Sequence, residues 1–219
     1  MDFNFIKDST PLYVEAMKLT IYIAFWGISL AFLLGLVISL IRHVRIPVFT
    51  QLAGAYIELS RNTPLLIQLF FLYFGLPKLG IVLSSEACAV IGLTFLGGSY
   101  FAEAIRSGLE NIPSIQTESA LSLGMKKRQI LYSIILPQAF SNSIPAICGN
   151  IIFLIKETSV FSAVALADLM FVTKDLIGIY YKTDEALLML VVAYLIILLP
   201  VSIVCTLIER RIRYGEYGD

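Results

Sequence analysis

The sequence predicts an all-α membrane protein: five transmembrane helices in a single domain over residues 1–219. Three observations carry this reading. Of 219 residues, 58% are hydrophobic and 15% charged, whereas soluble domains run near 45–50% and about 25%. Residues 19–41 and 186–208 contain no charged side chain, and each run exceeds the roughly 20 apolar residues that cross a bilayer. Sixteen Lys and Arg balance sixteen Asp and Glu, so there is no basic field for nucleic acid. The apolar content excludes a disordered chain, and three cysteines are too few for a disulfide scaffold.

Taken in order, residues 1–18 mix Asp2, Lys7, Asp8, Glu15 and Lys18 with apolar positions, without the basic start and small-residue cleavage site of a signal peptide. The first span is 19–42. In the second, 52–76, the apolar stretch 62–76 is short, so the helix is expected to start near Gln51 and carry Glu58 and Arg61 inside it. The third, 86–107, extends through Glu103 toward Arg106. The loop 108–136 is polar in its middle; Gly124 is a natural helix stop between a short helix and a second one entering the membrane. The fourth span, 138–157, follows Pro137 and contains Pro145. Residues 161–182 are too polar to cross and are expected to form a short outer helix. The fifth span, 185–208, contains Pro200, a kink that neighbouring helices tolerate.

Orientation follows from basic residues in short loops. With the N-terminus out and the C-terminus in, Arg42, Arg45, Arg106, Arg128, Arg210, Arg211 and Arg213 are cytoplasmic with Lys126 and Lys127, while Lys7, Lys18, Lys78, Lys156, Lys174 and Lys182 are outside. Every arginine outside the bilayer then falls on one side. Cys88, Cys148 and Cys205 sit in apolar runs and read as small hydrophobes. With His43 the only histidine, no metal site and no catalytic triad are expected.

Glu118-Ser119-Ala120, Gly124 four residues later, then Ile134 and Leu136-Pro137 resemble the EAA loop of the membrane subunits of binding-protein-dependent ABC importers; the family pattern has alanine where this chain has Ser119. The stretches 58–68 (Glu58, Arg61, Thr63, Gln68), 100–108 (Tyr100, Glu103, Arg106, Gly108) and 156–159 look like the polar amino acid branch. The resemblance covers about residues 15–212. It implies that the EAA segment is a cytoplasmic coupling helix lying in a cleft of an ATPase, with Glu118, Ala120, Leu121 and Gly124 as coupling residues. Small side chains at Ala120 and Ser122 would let it lie close to its partner. It also implies two copies of an ATP-binding subunit, a second copy of this chain or a similar permease, an external substrate-binding protein, an amino acid substrate, and a multi-pass location in a bacterial plasma (inner) membrane. No Gly-x-x-x-x-Gly-Lys-Ser/Thr loop occurs, so the chain is not expected to be an enzyme; ATP and Mg belong to the partner and no cofactor to this subunit. The competing class is an ATP-independent secondary transporter or channel, whose usual internal repeats are not found here.

Polar groups inside the bilayer mark the candidate substrate path. Asn62 and Thr63 precede Pro64, whose missing N–H frees a backbone carbonyl for a ligand. Ser99 and Tyr100 share a helix side with Glu103, which can pair with Arg106 at i,i+3; Arg61 is expected to pair with Glu58. Glu157, Thr158 and Ser159 end a long uncharged run, where Glu157 needs a cation, Lys156 or a ligand ammonium. These seven (Asn62, Thr63, Ser99, Tyr100, Glu157, Thr158 and Ser159) are expected to line one midplane cavity.

Overall fold

The computed structural model describes residues 1–44 and 46–217, without the side chains of 44 and 213–217. Two residues used for the orientation, Arg45 and the side chain of Arg213, therefore lie outside the described residues. The chain is mostly helical, with no strand among the described residues. The helices are α1 (Phe3–Val44), α2 (Pro47–Arg61), α3 (Leu65–Phe70), α4 (Ser85–Glu110), α5 (Ser114–Ser122), α6 (Lys127–Ile130), α7 (Leu136–Glu157), α8 (Leu169–Tyr180) and α9 (Thr183–Tyr217).

Among the described residues four helical segments are long and apolar enough to cross a membrane: Phe3–His43, Ser85–Glu110, Lys127–Val164 and Thr183–Ile212. The second expected span is not one helix. It breaks at residues 62–64 into α2 and a shorter apolar helical stretch, Leu65–Leu79. The reason is local: Pro64 (φ −57°, ψ 141°) cannot donate to the preceding turn, and the residue before a proline is pushed out of the helical region. The helix that contains the first expected span is longer than that span, running unbroken from Phe3 through Pro11.

Two five-residue π-turns, Phe71–Gly75 and Leu131–Ile135, lie just before Pro77 and Pro137. At each, a missing N–H leaves a carbonyl without its usual donor, and a wider turn absorbs the defect. Leu131–Ile135 joins α6 to α7, so the helical segment that contains the expected span 138–157 starts at Lys127. Ser84 caps α4 by accepting from the Ala87 N–H at 3.1 Å, and Asp168 caps α8 by accepting from the Phe171 N–H at 2.8 Å.

α4 is the central helix, packed against α1 on one side and α7 on the other. Buried Ile23 and Ala31 of α1, Leu93, Leu96 and Phe101 of α4, and Leu154 of α7 share one core with Leu65 and Leu69 of α3. Gly97 and Gly98 permit this: a Cβ on Gly97 would lie 2.7 Å from Leu154 and 2.8 Å from Ala31, and one on Gly98 2.6 Å from the Tyr56 hydroxyl. A second core joins Tyr13, Ala16 and Ala24 of α1 to Leu169 and Leu176 of α8 and Ala193 and Ile197 of α9. There the Tyr13 hydroxyl donates to the Ala186 carbonyl at 2.8 Å and lies 2.9 Å from Thr173 Oγ1. Thus the N-terminus, α8 and the start of α9 gather at one end of the bundle. The α1 C-terminus, α5 and α6 gather at the other.

Candidate functional site

The break at residues 62–64 does not leave the carbonyls around it free. Gln68 Nε2 donates to the carbonyls of Thr63 at 2.9 Å and Ser60 at 3.2 Å, so a side chain one turn into α3 repairs what Pro64 disrupts. Asn62 is exposed and folds back, its Nδ2 donating to the Glu58 carbonyl at 2.8 Å and to Glu58 Oε2 at 3.0 Å. Thr63 borders an apolar groove of about 500 Å³ with Leu59, Ile67, Phe71 and Phe95.

On α4, Ser99 is fully buried, 2.9 Å from Ser60 Oγ and donating to the Leu96 carbonyl at 2.7 Å. It ties α2 to α4. Tyr100 is half-buried, its ring 5.1 Å from that of Phe153 on α7. Asn150 Nδ2 donates to its carbonyl at 3.1 Å. Glu103, 18% exposed, receives Arg42 Nη1 at 2.6 Å and Arg106 Nη2 at 2.7 Å; Arg106 also reaches Glu110. The expected Glu103–Arg106 pair is present. Arg61 does not pair with Glu58, which the Asn62 amide holds; it leans toward Glu103 at 3.7 Å and over the Tyr100 ring at 5.2 Å.

At the far end of α7, Glu157 is partly buried and has no hydrogen bond or ion pair among the described residues, so Lys156 does not neutralise it. Thr158 is fully buried, donating to the Ile155 carbonyl at 2.7 Å and lying 3.4 Å from the Tyr194 hydroxyl. Ser159 is half-buried in the following 3₁₀ turn, Thr158–Val164. Of the seven residues, Ser99 and Thr158 are fully buried in the bundle. Their hydroxyls are used inside the bundle, as buried polar groups require.

Sequence reasoning missed Gln68, Asn150 and Asp168. Each is a polar residue in apolar surroundings, a signal the chain carries; Gln68 bonds across the break and Asn150 to another helix, while Asp168 caps its own helix. Asp168 has no exposed surface, and its Oδ2 has no partner among the described residues. Burial pushes its carboxyl up to about 7, opposed by the backbone N–H groups it caps.

The loop after α4 folds into a helix, a glycine break and a second helix. α5 ends in a Schellman cap: the Met125 N–H donates to the Ala120 carbonyl at 3.1 Å and the Gly124 N–H to the Leu121 carbonyl at 2.9 Å, with Gly124 at φ +77°. Gln138 Nε2 fastens α7 to α5 through Gln116 Oε1 at 2.6 Å. Ala120 is 3% exposed, so its small side chain permits close packing within this chain, where close approach to a partner had been expected. The outward face carries Glu118, Leu121 and Ser122, and Leu123 just beyond it is 82% exposed.

Residues 27–214 match the family described as binding-protein-dependent transport system inner membrane component. The chain belongs to this family. It is similar to a probable glutamine ABC transporter permease protein of Bacillus subtilis, 40% identical over 172 residues, 78% of this chain and 79% of that one. An arginine transport system permease protein of the same organism is 30% identical over 99% of both chains. Among solved structures, an amino acid ABC transporter with histidines superposes with a TM-score of 0.90 at 31% identity, covering 96% of this chain and 99% of that one. An inward-facing methionine ABC transporter shares the fold, with a TM-score of 0.76 at 21% identity, covering 94% and 98%. The chain is thus a permease subunit of an ABC importer and a membrane protein. It is not itself an enzyme: ATP hydrolysis resides in a separate ATPase subunit, and a substrate-binding protein is the other class of partner.

Proposed function

We propose that this permease imports a polar, zwitterionic amino acid, with ATP and Mg held by the partner ATPase and no cofactor in this chain. The observation that carries the reading is the family match over 27–214, with relatives named for glutamine and arginine transport. The assembly has two copies of this chain, or this chain and a similar permease, with two ATPases and an external binding protein, in a bacterial plasma membrane. The chain crosses five times, α2 and Leu65–Leu79 together making the second crossing. The N-terminus is outside and the C-terminus inside, as the arginines at the α5 end of the bundle favour.

α5 is the coupling helix. Glu118 and Leu121, joined by exposed Leu123, face the ATPase, while Ala120 and Gly124 fix the helix on this chain: Ala120 by close packing, Gly124 by the cap. The substrate passes Asn62, Thr63, Tyr100, Glu157 and Ser159, with Glu157, a carboxylate without a partner in the described chain, taking the ligand ammonium. Ser99 and Thr158 hold the helices that carry these residues. The test is purification of the tagged permease with its ATPase. Leu123→Asp should abolish copurification and leave membrane insertion intact, whereas Glu157→Gln should keep the ATPase and weaken transport. Normal assembly and transport in Leu123→Asp would remove α5 from the coupling role.

A further inference from the structure

At the α5 end of the bundle, the last turns of α1 and α4 and the start of α2 surround a cavity of about 800 Å³. Ser39, Arg42, His43, Thr50, Gln51 and Arg106 supply its polar wall. Ser39 is 8% exposed, and its hydroxyl makes no hydrogen bond among the described residues. The Thr50 Oγ1 is buried and also without a partner. Such groups are rare in a folded chain and ask for an acceptor or donor from elsewhere. His43 and Gln51 likewise make no hydrogen bond among the described residues. Of the five N–H donors of Arg42, only Nη1 is engaged, by Glu103 at 2.6 Å. The carboxylate on the wall, Glu110, is held by Arg106. With Arg61 also on Glu103, three guanidiniums stand against two carboxylates, so the cluster keeps one positive charge. α2 starts here without a side-chain cap, which sets the positive end of its dipole at the same wall.

Two features set this cavity at the level of lipid phosphates. The apolar segments Phe3–His43 and Ser85–Glu110 both end at residues on its wall, where hydrocarbon gives way to headgroups. Beside it, Leu36 and Leu40 of α1 and Val48, Phe49 and Leu52 of α2 are exposed, an apolar flank for acyl chains. Basic pockets between membrane helices at this level suit anionic headgroups. The groups left over are hydroxyls, an amide, an imidazole and guanidinium N–H groups, all able to donate to phosphodiester oxygens, which only accept. We propose that this cavity binds the phosphate of an anionic phospholipid. Arg42 holds its oxygens through the N–H groups that Glu103 does not use, and Ser39, Thr50 and Gln51 donate beside it. The lipid then joins the end of α1 to the start of α2.

The test is a titration of the delipidated permease–ATPase complex with short-chain phosphatidylglycerol, phosphatidylcholine, glycerol 3-phosphate and inorganic phosphate, read by native mass spectrometry and thermal midpoint. Wild type should bind phosphatidylglycerol more tightly than phosphatidylcholine, and neither soluble phosphate should compete. Ser39→Ala and Thr50→Val should each weaken phosphatidylglycerol about tenfold or more. Neither should lower the midpoint of the lipid-free complex, because each removes a hydroxyl that has no partner there. Arg42→Lys, which keeps a charge for Glu103, should also weaken the lipid. Thr206→Ala, at an exposed hydroxyl of α9 that bonds within its own helix, should change nothing. Equal binding of the two lipids by wild type would refute the site, as would wild-type affinity in both Ser39→Ala and Thr50→Val. Glycerol 3-phosphate or inorganic phosphate binding as tightly as phosphatidylglycerol would replace the lipid by a soluble phosphate and overturn the proposal.

Discussion

Gly124→Val isolates the geometry of the coupling helix from its contacts. At φ +77° the residue is in the left-handed region, and a Cβ built there meets no atom within 4 Å. The whole cost is therefore in the backbone, about 1–2 kcal/mol for an ordinary L-residue and more for a β-branched one. If the backbone relaxes instead, the two cap bonds, Met125 N–H to Ala120 and Gly124 N–H to Leu121, are lost. A cost of about 1–2 kcal/mol lowers the population of the built cap roughly five- to thirtyfold. The assay is binding-protein-stimulated ATP hydrolysis by the complex in nanodiscs. Gly124→Val should lose stimulation by about that factor with helix content and thermal midpoint nearly unchanged, because Gly124 packs on nothing. Gly124→Asn should keep most of the activity, since asparagine enters the left-handed region readily. Full stimulation in Gly124→Val, or equal loss in Gly124→Asn, would refute the argument.

Gly108→Ala should lower the thermal midpoint, because its Cβ would run into Ser143 Oγ and lie 2.5 Å from the Ala139 carbonyl; overpacking of about 1–3 kcal/mol outweighs the gain of about 1 kcal/mol in helix propensity, while Gly178→Ala, with open space around it, should not destabilise. Glu103→Gln should cost on the order of 3 kcal/mol by stranding Arg42, and Arg42→Gln in the same chain should recover part of that midpoint. Asp168, pushed up to about 7 by burial, holds its proton more tightly folded than unfolded, so its contribution to stability is complete below about pH 4 and is lost as the pH rises through 7. The wild-type midpoint should therefore fall between pH 5.5 and 8.5 more steeply than that of Asp168→Asn; parallel slopes would contradict this.

The two uncharged runs, the glycine break before Lys127 and the short helix after residue 161 were legible because each is a local pattern of hydropathy or backbone stiffness. The Glu103–Arg106 pair was legible for the same reason, at i,i+3 on one helix. The pairing of Arg61 was not, because the choice between Glu58 and Glu103 depends on how α2 crosses α4. Nor was the burial of Ser99 and Thr158, since a hydroxyl in an apolar run reads alike whether it faces a cavity or the backbone of its own helix. Ala120 shows the same limit: a small residue on an amphipathic helix signals close packing without saying against which surface. Pro64 announced the break, but the repair by Gln68 required the fold.

Uptake of a labelled amino acid into proteoliposomes containing this permease with its ATPase and binding protein tests the central claim most directly. Accumulation should require enclosed or added ATP on the ATPase side and the binding protein on the other, and should persist when proton and sodium gradients are collapsed. Accumulation driven by an ion gradient without ATP would contradict the account.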